Sequence, residues 1–160
     1  MSEAIAAWRR ALAACGVVVL VDQVSKAIVV SSLAVGQRES LVLGIELTNT
    51  VNRGLAFGIG QGRGFVLTLT IVALALVLGW FAVDPRRPGL WLSVGLLAGG
   101  ALGNLADRVR ADAVTDFIDF PLWPAFNLAD VAITLGALGL VLSSVGAAGQ
   151  GDRSAGPGSA

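Results

Sequence analysis

Histidine is absent from the 160 residues, and cysteine occurs once. Without imidazole there is no Ser-His-Asp or Cys-His nucleophile system, no imidazole-bound zinc and no ordinary switch near pH 6 to 7. The lone Cys15 sits in an apolar run, which excludes an internal disulfide and a cysteine-based metal cluster. A hydrolase of this composition must therefore work with Asp, Ser, Lys or water. Charge is scarce too. Asp, Glu, Lys and Arg make up 14% of the chain against 55% apolar residues, with a mean hydropathy of +0.78, too few to cover a soluble globule of this size. The chain reads as an integral membrane protein. Its 11 acidic and 11 basic residues cancel, so there is no polybasic footprint and nucleic acid is excluded as a partner.

What is present is a set of apolar runs of membrane length. The opening MSEAIAAWRR resembles the basic start of a secretory signal, but the apolar run continues past a cleavage length and is read as a retained first span, Ala11 to Leu33. Span two covers Phe65 to about Val83 and ends at the loop DPRRPG. Span three covers Leu90 to about Leu105, where Gly95, Gly99 and Gly103 recur every fourth residue and let another helix approach closely. Span four covers about Phe126 to Val145. Residues 34 to 63 are too polar to span and too apolar to be a tether. They are read as a small strand pair on the membrane surface, with a turn at Asn52, Arg53 and Gly54 followed by an apolar wall of Leu55, Ala56 and Phe57. The expected fold is an all-α membrane protein of four transmembrane helices with a small β platform in the first outer loop. It forms a single domain over residues 1–150, with a flexible tail at 151–160. Arg9, Arg10, Arg86, Arg87 and Arg153 fall on one side, which places both termini in the cytoplasm.

Four spans impose a parity. The end of span one, the loop after it, the end of span three, the following loop and the start of span four share the outer face, and the unusual polar residues occupy those places. Asp22, Lys26, Asn52, Arg53, Asn104, Asp107, Arg108, Asp116, Asn127 and Asp130 can meet there, although they are spread over more than a hundred residues. Asp22 and Lys26 are spaced i, i+4 on one helical face, either as a helix-end pair with Lys26 reaching for water or as support for a site. Asn127, Asp130 and Thr134 share a face of span four, while Asp107 with Arg108 can form a structural ion pair. Asp116 and Asp119 both lie in the apolar run VTDFIDF, expected as a loop, and the run alone does not separate them. Asp112 reads as a solvated loop acid. Two carboxylates brought together in an apolar setting tend to share one proton, the working state of an aspartic peptidase. Ca²⁺ or Mg²⁺ on hard oxygen ligands lacks EF-hand-like spacing, so no metal and no other cofactor is expected. A small proton- or ion-coupled transporter is the alternative, because intramembrane acids also mark ion pathways.

DQVSK (22 to 26), NRGLAF (52 to 57), GGALGNLADR (99 to 108), VTDF (114 to 117) and FNLAD (126 to 130) together resemble the ordered motif set of the bacterial lipoprotein signal peptidases, signal peptidase II. The resemblance runs from span one through span four. The family more often has NTGAAF in place of NRGLAF, and Ser in place of Val131. The resemblance implies an aspartic endopeptidase of the bacterial inner membrane, acting at the outer face, that cleaves diacylglyceryl-modified prolipoproteins just before the lipidated cysteine. It implies Asp116 and Asp130 as the catalytic pair in preference to Asp119. Asp22, Lys26, Asn52, Gly54, Asn104, Arg108 and Asn127 become supporting or substrate-positioning residues. The implied partners are the prolipoprotein substrate, membrane lipid and the inhibitor globomycin, with the enzyme acting as a monomer.

Overall fold

The computed structural model describes residues 2–54 and 63–153. The element order is α1 (Ser2–Ser32), β1 (Arg38–Ser40), β2 (Glu46–Asn52), α2 (Arg63–Val83), α3 (Leu90–Ala111), β3 (Val114–Phe120), β4 (Trp123–Phe126) and α4 (Leu128–Arg153). Helices α1, α2 and α3 are long and apolar enough to cross a membrane, and α4 carries a shorter apolar stretch over Leu128–Ser144. At 1.5 Å per residue that stretch covers about 26 Å, close to the thickness of a hydrocarbon layer. Leu12, Leu20 and Ile28 of α1, Leu76 of α2, and Leu138 and Leu142 of α4 lie exposed. Apolar side chains facing outward on every side are what a bundle bathed in lipid requires.

Helix α3 is the central post, packed against α1, α2 and α4. Its glycines make this possible. A Cβ built on Gly95 would stand 2.7 Å from the Ala14 Cβ, one on Gly99 would stand 2.6 Å from the Val18 Cβ, and one on Gly103 would stand 2.7 Å from Asp22 Oδ2. The every-fourth-residue stripe is thus the seam with α1, as its spacing predicts. On the other face of α3, Gly100 fits against the Ala129 backbone, and Gly136 of α4 returns the fit by packing on Leu97 and the Ser93 carbonyl.

Helix α3 extends beyond the expected end of span three, to Ala111, so Asp107, Arg108 and Arg110 sit on a helix. It closes at Asp112, which adopts a left-handed conformation (φ 56°) and donates its backbone N–H to the Arg108 carbonyl; Asp112 is therefore a helix cap as well as a surface acid. Helix α4 continues to Arg153, past the start of the expected tail. Residues 154–160, like the expected wall of Leu55, Ala56 and Phe57, lie outside the described residues.

The platform is larger than a strand pair in the first outer loop. The sheet has four antiparallel strands in the order β1-β2-β3-β4, and its second half comes from the connection between α3 and α4. Asp116, expected on a loop, is therefore a strand residue, opposite Thr50. The strand is covered on both faces at its middle: Val114, Asp116 and Phe117 are buried, and Phe117 packs with Val29 and Leu33 of α1, with Ile118 against the same cluster. A register shift lies between Leu47 and Thr50 of β2. There Thr48 and Asn49 are buried, and the Asn49 amide donates to the Leu33 carbonyl at 2.8 Å, satisfying a free carbonyl at the end of α1. The sheet is thereby fastened to the helix that carries Asp22 and Lys26.

The glycine seam makes a direct prediction. Gly99→Leu drives a side chain into Val18 and the Cys15 carbonyl and costs about 1–3 kcal/mol or more, read as a lowered melting temperature of the purified protein. Gly79→Ala on α2, with open space around it, leaves the melting temperature unchanged or raises it slightly. Equal losses in the two variants would show that α1 and α3 are not in close contact.

Candidate active site

The site begins with a cap. Asn127 precedes α4, and its side-chain oxygen accepts the Asp130 backbone N–H at 3.0 Å while Asp130 Oδ2 accepts the Asn127 backbone N–H at 3.3 Å. This reciprocal N-cap arrangement is what Asn-x-x-Asp before an apolar run produces. It leaves the Asn127 amide nitrogen free to turn outward, where it donates to Asp116 Oδ1 at 2.7 Å. One fully buried asparagine thus touches both acids. The second oxygen of Asp116 accepts the Asn52 amide at 2.9 Å from the end of β2, and Asp130 Oδ1 accepts the Asn104 amide at 2.8 Å from α3.

The same chain of contacts runs deeper. Asn104 Oδ1 accepts from Lys26 Nζ at 2.9 Å, and Lys26 pairs with Asp22 at 2.8 Å. Lys26 Nζ also lies 2.7 Å from Asp107 Oδ2, close enough for charge pairing but off the line of a hydrogen bond, which leaves that oxygen without a hydrogen-bond donor among the described residues. Asp22 is fully buried and Lys26 nearly so. The pair is thus an internal strut, with Lys26 turned inward and not toward water. The remaining Asp22 oxygen accepts the Ala129 backbone N–H at 3.0 Å, so an acid of α1 satisfies a free amide in the first turn of α4 and carries negative charge where the helix dipole favours it.

Several expectations are corrected here. Asp107 and Arg108 do not pair with each other. Asp107 engages Lys26 and Gln23, while Arg108 reaches the carbonyls of Asn104 and Gly54, each at 3.4 Å. Thr134 is exposed, and its hydroxyl bonds to the Asp130 carbonyl within its own helix, so it does not join the acids. Asp119 lies at the far edge of the platform, 2.8 Å from Arg38, which also holds Glu46. Gly54 is buried, and its N–H closes a tight turn on Asn52 Oδ1 at 3.0 Å, as the Asn-Arg-Gly run predicts. Arg53 points outward.

Two contributors were not singled out from sequence. Gln23 bridges Asp22, the Gly103 carbonyl and Asp107, and accepts from Arg110 at 2.6 Å. Asn49 ties the platform to α1. The available signal for Gln23 was an amide inside an apolar span, beside an acid; for Asn49 it was a buried-type position in a strand run.

Burial pushes the Asp116 carboxyl up to about 6, and the neighbouring charge of Asp130 adds to the shift, while hydrogen bonds from Asn52 and Asn127 and the charge of Lys26 pull against it. Beside the acids an apolar cavity of about 240 Å³ opens between α2, α3 and α4, bounded by Asn104 and Arg108 at its polar end and by Leu69, Leu74, Leu97 and Ile133 along its walls. The arrangement can hold a polar backbone at the acids while lipid-like groups lie alongside.

Fold and site together define the class: a polytopic membrane protein whose buried polar groups are gathered mainly at one end of its bundle. A family model described as signal peptidase (SPase) II matches residues 14–146, and the chain belongs to that peptidase family. It is 48% identical over 124 residues to a lipoprotein signal peptidase of Pelotomaculum thermopropionicum, an alignment covering 76% of this chain and 82% of the relative. It is 34% identical over 151 residues to a lipoprotein signal peptidase of Brevibacillus brevis, covering 91% and 99% of the two chains. Among solved structures it superposes on a bacterial membrane enzyme determined by the in meso method at 2.3 Å resolution, with a TM-score of 0.79 and 30% identity over 84% of this chain and 87% of the other.

The raised Asp116 is directly measurable. In isotope-edited infrared spectra assigned with Asp116→Asn, its carboxyl band titrates near pH 6. Because the Asn52 hydrogen bond favours the ionised form, Asn52→Ala moves the midpoint higher still. A wild-type midpoint near the ordinary aspartate value of about 4 would contradict the buried placement.

Proposed function

We propose that the protein is an aspartic endopeptidase that removes the signal peptide from diacylglyceryl-modified prolipoproteins, cleaving before the lipidated cysteine with Asp116 and Asp130 as the catalytic pair. The observation that carries this reading is the single asparagine, Asn127, that holds both carboxylates, one through its side chain and one through its backbone. Two acids held together in a poorly solvated place share one proton. The ionised member takes a proton from water as the water attacks the scissile carbonyl, and the protonated member hydrogen-bonds the carbonyl oxygen as it gains charge. Lys26, with Asp22 behind it, sets the potential at Asp130 through Asn104. Asn52 holds Asp116 and closes a turn on the Gly54 N–H, and Arg108 braces that turn through the Gly54 carbonyl.

The location suits such a substrate. Acyl chains on the modified cysteine remain in the bilayer or along the apolar cavity, while the scissile bond meets water at the interface. In this reading the chain is one peptidase domain in the bacterial inner membrane, with both termini cytoplasmic and the acids at the outer face. It works as a monomer and is inhibited by globomycin. A proton-coupled carrier would need polar groups along the path across the bilayer. Among the described residues the only buried polar side chain toward the other end of the bundle is Ser93, which does not favour that reading.

The test is cleavage of a purified lipidated prolipoprotein, with its unlipidated form alongside. Asp116→Asn and Asp130→Asn each reduce the rate by at least about 10³-fold, in the range expected for a lost acid or base, while the proteins still insert. Asp119→Asn retains activity near wild type. Retained cleavage in either dyad variant, or loss in a folded Asp119→Asn, would sink the assignment. Since no acyl-enzyme forms, serine and thiol reagents leave the rate unchanged.

A further inference from the structure

The opposite end of the bundle holds a second polar concavity that takes no part in the acid cluster. It measures about 410 Å³ and lies between the start of α1 and the connection from α2 to α3, bounded by Glu3, Arg10, Arg86, Arg87, Gly89 and Trp91. No ion pair engages Arg10, Arg86 or Arg87 among the described residues, Glu3 included. Three guanidinium groups around one hollow repel one another unless an anion lies between them.

The hollow is also built stiffly. Pro85 and Pro88 bracket the two loop arginines, and Pro85 is buried, so the backbone presenting them has little freedom to lose on binding. Gly89 precedes α3 in a left-handed conformation (φ 75°) and has no side chain to cap the first turn. The level in the membrane is marked independently: Trp8, Trp80 and Trp91, three of the four tryptophans in the chain, cluster at this end, with Trp8 set edge-on against Phe81 at 4.7 Å. Tryptophans gather where headgroups meet acyl chains.

We infer that the hollow formed by Arg10, Arg86 and Arg87 is a binding site for the phosphate of an anionic phospholipid headgroup. Guanidinium forks match phosphate oxygens in pairs, and a basic recess between membrane helices at headgroup depth meets lipid phosphate at high local concentration. Glu3 at the rim disfavours headgroups bearing further negative charge and leaves room for a neutral polar cap such as glycerol. A free phosphate ion offers the same chemistry, but the tryptophan belt and the apolar flanks of α1 and α3 favour a lipid.

Native mass spectrometry of the full-length protein in neutral detergent reads this out, and detergent removes any effect of the arginines on insertion direction. Phosphatidylglycerol remains bound to wild type, and phosphatidylcholine does not. Arg86→Gln/Arg87→Gln weakens retention roughly tenfold or more, given about 1 kcal/mol per arginine at a lipid surface, and Arg10→Gln weakens it by a smaller factor. Arg9→Gln removes the same charge one residue outside the hollow and retains lipid like wild type. Equal loss in Arg9→Gln would overturn the site in favour of diffuse charge attraction. Displacement of the lipid by millimolar inorganic phosphate would overturn the lipid assignment, as would equal retention of phosphatidylcholine. Melting temperatures in lipid-free detergent confirm that each variant is folded before its retention is compared.

Discussion

A carboxylate or amide in hydrocarbon has no water to turn to, so each must be satisfied by the protein, at a cost of several kcal/mol if it is not. That constraint organises this molecule. From Asp22 through Lys26, Asn104, Asp130 and Asn127 to Asp116 and Asn52, successive residues engage one another without interruption, side chain to side chain except between Asp130 and Asn127, where each side chain holds the other's backbone N–H, and the path visits α1, α3, α4 and both halves of the sheet. Removing a member leaves at least one neighbour without its partner. The network therefore fixes where α4 begins and how the sheet sits on the helices, as well as where two acids meet.

Such a network needs its helices close together, and small residues provide that. Gly103 lies directly against Asp22, so the carboxylate occupies space that any other side chain on α3 would take. The seam and the buried acid are therefore one feature: the glycine stripe, which has no polar atoms beyond its backbone, creates the slot in which a charged pair can be hidden and still reach Asn104. At the opposite end the packing is apolar, with Phe81, Leu90 and Val94 against Ala7 and Ala11, and charged groups reappear at the arginine-lined surface.

The platform bears on the acids as well as on access to them. Because β3 is a strand between β2 and β4, Asp116 is held in a fixed register opposite Thr50, and its burial follows from the sheet lying across the end of the bundle. Asp119, three residues on, falls on the opposite face of the same strand and is drawn into an ion pair with Arg38. Position along the strand thus separates two chemically identical residues, Asp116 buried between Asn52 and Asn127 and Asp119 half-buried beside Arg38.

Much of this was legible from residue types alone. Four apolar runs, the absence of histidine, the every-fourth glycines and the parity of span ends sufficed to place the polar residues at one end of a four-helix bundle, since hydropathy and helical spacing are local properties. The capping pattern Asn-x-x-Asp is local too. What sequence pattern left open was which groups pair. Asp107 with Arg108 was the reasonable neighbour pair, yet Lys26 lies within 2.7 Å of Asp107 while Arg108 turns to backbone carbonyls. Nor did the pattern reveal that the α3–α4 connection completes the sheet, or that Gln23 and Asn49 are joints of the assembly. Sequence by itself determined the membrane, the spans and the end at which chemistry collects, because those follow from each segment's own solvation. Only the tertiary structure decided which oxygen faces which nitrogen, because that depends on the distances at which helices and sheet pack.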